Sequence, residues 1–152
     1  MPKRSAILFL VDILVSIDKI KRNTENVGFN EFITDENLFD ATARSLEIIG
    51  EAANNLLKDK SFIEHIDVEW RKIVDFRNIL VHEYFGIDLG IIFSAVKEEV
   101  PALEEEILNF IQKKENKTNF IQALLDTKQE LEEINRKDSI AYLEKIRSLI
   151  EE

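Results

Sequence analysis

The residue types best suited to chemistry in this sequence are Arg77, Asn78 and His82. His82 is one of two histidines in the chain, and an imidazole can accept or donate a proton near neutral pH. An arginine provides a permanent cation that can hold a phosphate through two hydrogen bonds. Together these groups could cut RNA without a metal ion: the 2′-hydroxyl attacks the adjacent phosphorus, and a cyclic phosphate and a free 5′-hydroxyl result. Asn78 could hold the imidazole tautomer or contact the phosphate.

The spacing of these residues predicts where they lie on a helix. Successive residues of an ideal helix turn by about 100°, which places Arg77 inside an apolar arc that includes Leu80 and Val81. Asn78 and His82 fall on a polar flank, where side chains at i and i+4 can meet. An unpaired cation in an apolar arc is costly, so Arg77 needs a carboxylate partner, an interface or a bound anion. A purely structural interpretation stays open, in which Arg77 forms an ion pair with the preceding helix and His82 hydrogen-bonds Asn78.

Two glutamates in the preceding predicted helix are candidates for a supporting role. Glu47 and Glu51 lie on the arc opposite the core face of that helix. They could orient Arg77 or His82 across a groove, or they could belong to a solvated surface whose charges pair with one another. Gly50 lies beside Glu51 and would permit the two helices to approach closely.

Helical periodicity runs through nearly the whole chain and predicts an all-α fold. The 152 residues include only four glycines and two prolines, which indicates few tight turns and long helices. We expect four bundle helices followed by two amphipathic helices, near residues 5–23, 35–58, 68–85, 89–114, 118–135 and 138–151. The bundle domain is then residues 1–114. Residues 115–152 form a C-terminal helical extension, either a hairpin on the bundle or one long arm.

Three details of the bundle can also be predicted. Residues 24–34 indicate a polar connection anchored by Phe29, Phe32 and Ile33. Pro101 should kink the fourth helix, because it has no backbone donor. The first helix is apolar nearly all round, so it should be buried on more than one side. It is therefore either part of a subunit interface or the central helix of the core.

The composition excludes several classes of protein. The absence of cysteine excludes a disulfide scaffold and thiolate metal sites. The net charge of −10 speaks against a broad nucleic-acid surface, so RNA would have to meet a local basic pocket. His82-Glu83 begins like a zinc-protease motif, but residue 86 is glycine rather than histidine, which excludes that class. We expect no metal and no cofactor.

The N-terminal segment shares some features with a targeting sequence. Lys3 and Arg4 precede a short apolar run, as in a signal peptide, but Asp12 interrupts this run and no small-residue cleavage site follows. The run is also too short to span a bilayer. We therefore expect a cytoplasmic protein with no membrane association.

The motif Arg-Asn-x-x-x-His resembles the R-x4-6-H motif of the HEPN superfamily, and with Tyr84 it resembles the R-x4-H-x-Y form of HepT-type toxins. The surrounding segments agree with the resemblance: residues 46–53 upstream, 70–73 at the start of the motif helix, and 84–89 after the motif. The ordered set of segments is far more specific than the motif alone. The resemblance covers roughly residues 4 to 112.

The resemblance implies an up-and-down antiparallel helical bundle that forms a homodimer. It also implies a metal-independent ribonuclease site between the two protomers, with Arg77 and His82 as catalytic residues. In HepT-type toxins a partner minimal nucleotidyltransferase acts as the antitoxin, and the tyrosine that matches Tyr84 accepts adenylyl groups. The alternative is a non-catalytic HEPN module that binds a nucleotidyltransferase or a nucleotide, and the acidic composition favours this alternative.

Overall fold

The computed structural model describes residues 4–82 and 86–151, and every regular element within these residues is helical. The prediction of an all-α fold is therefore confirmed. The first half of the chain contains α1 (Ala6–Thr24), α2 (Phe29–Thr34), α3 (Glu36–Leu56), α4 (Lys60–Ile63) and α5 (Trp70–His82). The second half contains α6 (Leu89–Ser94), a π-helical turn (Ala95–Glu99), α7 (Val100–Ile111), a 3-10 turn (Lys114–Asn116), α8 (Lys117–Glu133) and α9 (Lys137–Glu151).

The central helix of the fold is α1. It begins after Ser5, whose hydroxyl accepts a hydrogen bond from the Leu8 amide at 3.4 Å. Its apolar side chains are buried on several sides, because α3, α7, α8 and α9 all pack against it. The buried apolar residues are Leu10, Val11, Ile13, Leu14, Val15, Ile17 and Ile20. Packing within one chain therefore explains the apolar character of α1, as expected for the central helix of the core.

The connection before α3 is more regular than the sequence predicted, because it contains the short helix α2. The apolar anchor is Phe32, which is fully buried. Its ring lies 5.5 Å from the rings of both Phe39 and Phe93, measured between centroids. This burial holds the segment against the bundle and stabilises a helix too short to persist alone. Asp35 then caps α3, accepting a hydrogen bond from the Leu38 amide at 3.0 Å.

The helix expected at 89–114 is divided into α6, the π-helical turn and α7. At the end of the turn the Val100 amide bonds to the carbonyl of Ala95, five residues earlier. Pro101 follows immediately, and a proline ring in a regular α-helix would clash with the carbonyl four residues before it. The wider π turn accommodates this residue, so the predicted kink at Pro101 takes the form of a π-helical insertion upstream of it.

The C-terminal extension is a helical hairpin that lies on the bundle. Asn135, with φ of 56°, lies in the turn between α8 and α9, where the first of the two predicted helices was expected to end. Both helices of the hairpin contact α1. A polar link joins α9 to the bundle: the Tyr142 hydroxyl donates to Glu104 at 2.6 Å, and Lys21 donates to the same carboxylate at 2.7 Å. Throughout the described ranges no helix is long and apolar enough to cross a membrane.

Candidate active site

The three candidate residues lie on α5, and the packing of this helix decides which of them reach the surface. The buried residues of α5 are Trp70, Val74 and Leu80. Within the described residues, α3 is the helix that α5 contacts extensively. The structure describes α5 as far as His82, so the predicted continuation to residue 85 and the candidate Tyr84 lie outside the described residues.

The Arg77 side chain passes α3 at Gly50, where α5 and α3 approach closely. A Cβ atom added to Gly50 would overlap Cβ and Cγ of Arg77 and would lie 3.5 Å from its Cα atom. Only a residue without a side chain fits there. The start of the Arg77 side chain is consequently fixed against the backbone of α3, which sets the direction in which its guanidinium leaves the helix.

The guanidinium group ends at the surface with two polar neighbours. Its Nη1 donates to Oδ1 of Asn78 at 3.0 Å, and its Nη2 lies 3.8 Å from Oε1 of Glu51. Its Nε is buried and has no hydrogen-bond acceptor among the described residues. The side chain of Arg77 is 27% exposed and that of Glu51 is 55% exposed, so water screens this loose ion pair and it contributes little to stability. Among the described residues no closer carboxylate pairs with this cation.

The structure separates the two candidate glutamates. Glu51 faces Arg77, whereas Glu47 pairs with Arg44 on its own helix at 3.4 Å. Of the two arrangements that the sequence left as alternatives, Glu47 shows the self-paired surface, and Glu51 lies beside the guanidinium of Arg77.

The hydrogen-bond partner of Asn78 also differs from one of those expected. In the part of the chain that the structure describes, no hydrogen bond joins Asn78 to His82, although both side chains are exposed at i and i+4. The amide oxygen of Asn78 instead accepts a hydrogen bond from the guanidinium of Arg77, and hydrogen bonds from charged donors are the stronger ones. The expected contact between Asn78 and the imidazole is therefore absent among the described residues.

Two apolar residues beside the motif were not identified as surface residues from the sequence. Ile79 is 49% exposed and Val81 is 39% exposed. Helical periodicity placed Val81 in the buried arc with Arg77, but the arc is only partly covered, because α5 packs on one side against α3. No group of three or more His, Asp or Glu side chains that could hold a metal ion occurs within residues 4–82 and 86–151.

The sequence model of a family described as "Ribonuclease HepT-like" matches residues 13–110. The matched region contains α1 after its first two turns, the whole of α5 and nearly all of α7, and it ends before α8 and α9. No solved structure matches significantly.

Curated relatives agree with this family. The chain is 42% identical over 108 residues to "Putative RNase MJ1380" of Methanocaldococcus jannaschii, covering 70% of the chain and 97% of the relative. It is 37% identical over 102 residues to "Probable ribonuclease HepT" of Thermococcus cleftensis, covering 67% and 92%. It is 39% identical over 106 residues to "Putative RNase TTE0752" of Caldanaerobacter subterraneus subsp. tengcongensis, covering 69% and 93%.

Proposed function

Because the chain belongs to the HepT-like ribonuclease family of the HEPN superfamily, we propose that it is a metal-independent endoribonuclease with Arg77, Asn78 and His82 in its active site. The observation that supports this proposal best is the way in which α3 holds Arg77. The start of the side chain is fixed at Gly50, while the guanidinium stays partly exposed on the helix that also exposes His82. A fixed cation and an imidazole that can exchange protons, carried by one helix, are group types suited to phosphoryl transfer.

The proposed reaction is an internal transesterification. The 2′-oxygen bonds to the adjacent phosphorus, and the bond between phosphorus and the 5′-oxygen breaks. A neutral imidazole takes the 2′-hydroxyl proton, and an imidazolium gives a proton to the leaving 5′-oxygen. Arg77 stabilises the negative charge that develops on the phosphorane. The products are a 2′,3′-cyclic phosphate and a 5′-hydroxyl, and no co-reactant is consumed.

When both proton transfers occur in one concerted step they use two titratable groups, whereas one chain offers one imidazole in this motif. We therefore place the site between two chains related by two-fold symmetry, so that each contributes His82 and Arg77. The exposed Ile79 and Val81 support this arrangement, because large apolar side chains beside a polar site are typical of interfaces. Two arginines in one groove would also attract RNA phosphate better than one, against the net charge of −10 of each chain.

Regulation by a partner completes the proposal. We infer that the chain is the toxin of a toxin–antitoxin pair, and that a cognate minimal nucleotidyltransferase silences it by transferring adenylyl groups to Tyr84. Tyr84 follows Arg77 by seven residues in the sequence. Each phosphodiester would add a negative charge near the arginine and a nucleotide across the groove. The arginine would be occupied and RNA phosphate would be repelled.

RNA cleavage by site variants in the presence of EDTA tests the catalytic part. His82→Ala and Arg77→Ala should each lower the cleavage rate by about 100-fold or more. The chain provides matched controls in His65→Ala and Arg71→Ala, because both residues are exposed and pair with neighbouring carboxylates. The controls should cleave like the wild type. Cleavage that requires magnesium, or that survives in His82→Ala, would contradict the proposal and favour a non-catalytic HEPN module.

The dimer and the modification have separate tests. Ile79→Glu should convert a dimer into a monomer by light scattering and abolish cleavage, whereas Ile134→Glu, at a 60% exposed site in the hairpin, should do neither.

Co-expression with the nucleotidyltransferase should add whole adenylyl increments to the intact mass. Tyr84→Phe should block the increments and keep RNase activity, while Tyr142→Phe, the change at the other tyrosine of the chain, should still accept them. Increments that persist in Tyr84→Phe would place the modification elsewhere.

A further inference from the structure

A groove of about 390 Å³ lies between α5 and the π-helical turn with α7. Its floor is apolar and is formed by α3, where Leu46 and Ile49 are buried in the core. Its walls are also apolar. They include Ile73 and Phe76 of α5, and Ala95, Val100, Ala102 and Leu103 of the opposite wall. The groove therefore exposes part of the bundle interior along one side of α5.

Two features of the fold keep this groove open. The close approach at Gly50 draws α5 towards α3, so its other flank is left without an extensive helix contact among the described residues. The opposite wall contains the π-helical turn, and Ala95 and Glu99 at its two ends both line the groove. Single π turns inserted in α-helices are frequent at functional sites.

The rim of the groove is strongly acidic. Among the described residues it carries four carboxylates, Asp67, Glu69, Glu99 and Glu106, against one ammonium group, Lys72. The Lys72 ammonium bonds to Glu69 at 2.9 Å, and this hydrogen bond raises its pKa, with a smaller contribution from Glu99 on the opposite wall. One of the four acids thus already pairs with the ammonium group, and the described rim keeps an excess of negative charge.

From this geometry we propose that the groove is the docking site for a basic amphipathic helix of a protein partner. Apolar side chains at i, i+3, i+4 and i+7 of such a helix would fill the floor, and lysine or arginine side chains on its flanks would meet the rim carboxylates. The charge of the rim disfavours other occupants. RNA and anionic membranes bring negative charge, and a second copy of this chain brings 30 acidic against 20 basic residues.

Fluorescence anisotropy with a synthetic peptide tests this inference on the full-length protein. The probe is a labelled peptide of about 15 residues with leucines at i, i+3, i+4 and i+7 and lysines elsewhere. One control peptide has the same composition in scrambled order, and a second keeps the leucines but replaces the lysines with glutamate. We expect the probe to bind about tenfold or more tightly than either control, and to weaken as salt screens the rim.

Protein variants then locate the binding. The double change Glu99→Lys with Glu106→Lys should weaken binding of the probe by about tenfold or more. A matched control, Glu132→Lys with Glu133→Lys, makes the same change in net charge at exposed positions of α8. It should change binding by less than about twofold. Ala102→Gln places polar bulk at an exposed position of the wall without changing the charge, and it should also weaken binding.

Several outcomes would overturn the inference. Equal binding of the amphipathic and scrambled peptides, or equal effects of the rim and control variants, would show only general attraction to an acidic protein. Unchanged binding to Ala102→Gln would show that the apolar wall is not used. If the rim reversal alters the oligomeric state by light scattering and leaves peptide binding unchanged, the groove holds a second copy of this chain and the inference is wrong.

Discussion

Replacing Gly50 with alanine tests how the bundle holds the candidate arginine. The new Cβ atom would overlap Cβ and Cγ of Arg77. Non-bonded carbon atoms are at their optimum about 3.5–4.0 Å apart. The overlapping atoms are the near end of the Arg77 side chain, fixed to the backbone of α5, so a change of rotamer at the tip cannot relieve the overlap. The helices must instead separate by about an ångström or more.

The free-energy cost can be worked out from two opposing contributions. Overpacking in a close helix contact costs about 1–3 kcal/mol, and more in severe cases. Alanine in place of glycine inside a helix stabilises by about 1 kcal/mol. Because two side-chain atoms are overlapped, we take the upper end of the first range. The net expectation is a fall of about 2 kcal/mol in the free energy of unfolding.

A double-mutant cycle measured by chemical denaturation isolates this contact. Arg77→Gly removes both overlapped atoms, so Gly50→Ala in that background should no longer destabilise the protein. The coupling energy should be about 2–3 kcal/mol. Gly28→Ala provides the control, because a Cβ atom at Gly28 meets nothing within 4 Å. Its cost should stay below about 1 kcal/mol.

The same variant should lower RNA cleavage while the protein stays folded, because α5 and the Arg77 guanidinium shift together. A Gly50→Ala protein with wild-type stability and wild-type cleavage would refute the link between close helix approach and arginine position. A loss of stability with no coupling to Arg77→Gly would show that another contact of α3 is responsible.

Three further predictions concern the scaffold. Tyr142→Phe should cost about 1–2 kcal/mol by removing the hydrogen bond to Glu104. Burial and that hydrogen bond raise the pKa of Tyr142. The contribution of the phenol to the free energy of unfolding is therefore complete below about pH 10 and is lost as the pH rises above it. The difference in the free energy of unfolding between the wild type and the phenylalanine variant, measured by urea unfolding, should shrink above this pH. Phe32→Ala should cost about 3–5 kcal/mol in the same assay because it empties a fully buried position, and a cost near zero would contradict the packing of α2. Asp35→Ala should cost about 1 kcal/mol through loss of the cap on α3, with Asp35→Asn as the variant that should retain most of the stability.

The long helices could be predicted from the sequence because each buries an apolar stripe with a helical period. The observed α8 and α9 begin one residue earlier than predicted, and α8 ends two residues earlier. The short helix α2 could not be predicted in this way. It has six residues, too few to show a period, and its stability depends on contacts between Phe32 and the rings of Phe39 and Phe93, which lie on other helices. Tertiary packing of this kind leaves no local signal.

The π-helical turn was only partly predictable. Pro101 indicated a distortion in the fourth bundle helix, and the distortion is present. Its form keeps both Val96, inside the turn, and Val100, directly after it, buried in the core. The turn packs against α1 and α6, and these tertiary contacts could not be predicted from Pro101.

At the site the sequence identified the right helices but not the pairing between their side chains. Glu47 and Glu51 lie four residues apart on one arc of α3, so helical spacing could not select one of them as the neighbour of Arg77. The position of Gly50 explains the pairing, because α3 and α5 approach closely one residue before Glu51. The exposure of Val81 was not predicted for a related reason. Helical periodicity shows which residues share an apolar arc, but it does not show how much of that arc a neighbouring helix covers.

Because α5 packs on one side only, its uncovered surface borders both the candidate active site and the groove. The argument for a dimer now depends on α5 rather than on α1. The hairpin and the bundle cover the apolar surface of α1, so that surface no longer calls for a second chain. The remaining reasons lie on α5, where Ile79 and Val81 are exposed beside the motif. The other flank of α5 borders the groove through Phe76, the residue before Arg77. A helix bound in the groove would therefore contact the same turn of α5 that positions the arginine, and its effect on cleavage would depend on whether α5 moves towards or away from Gly50.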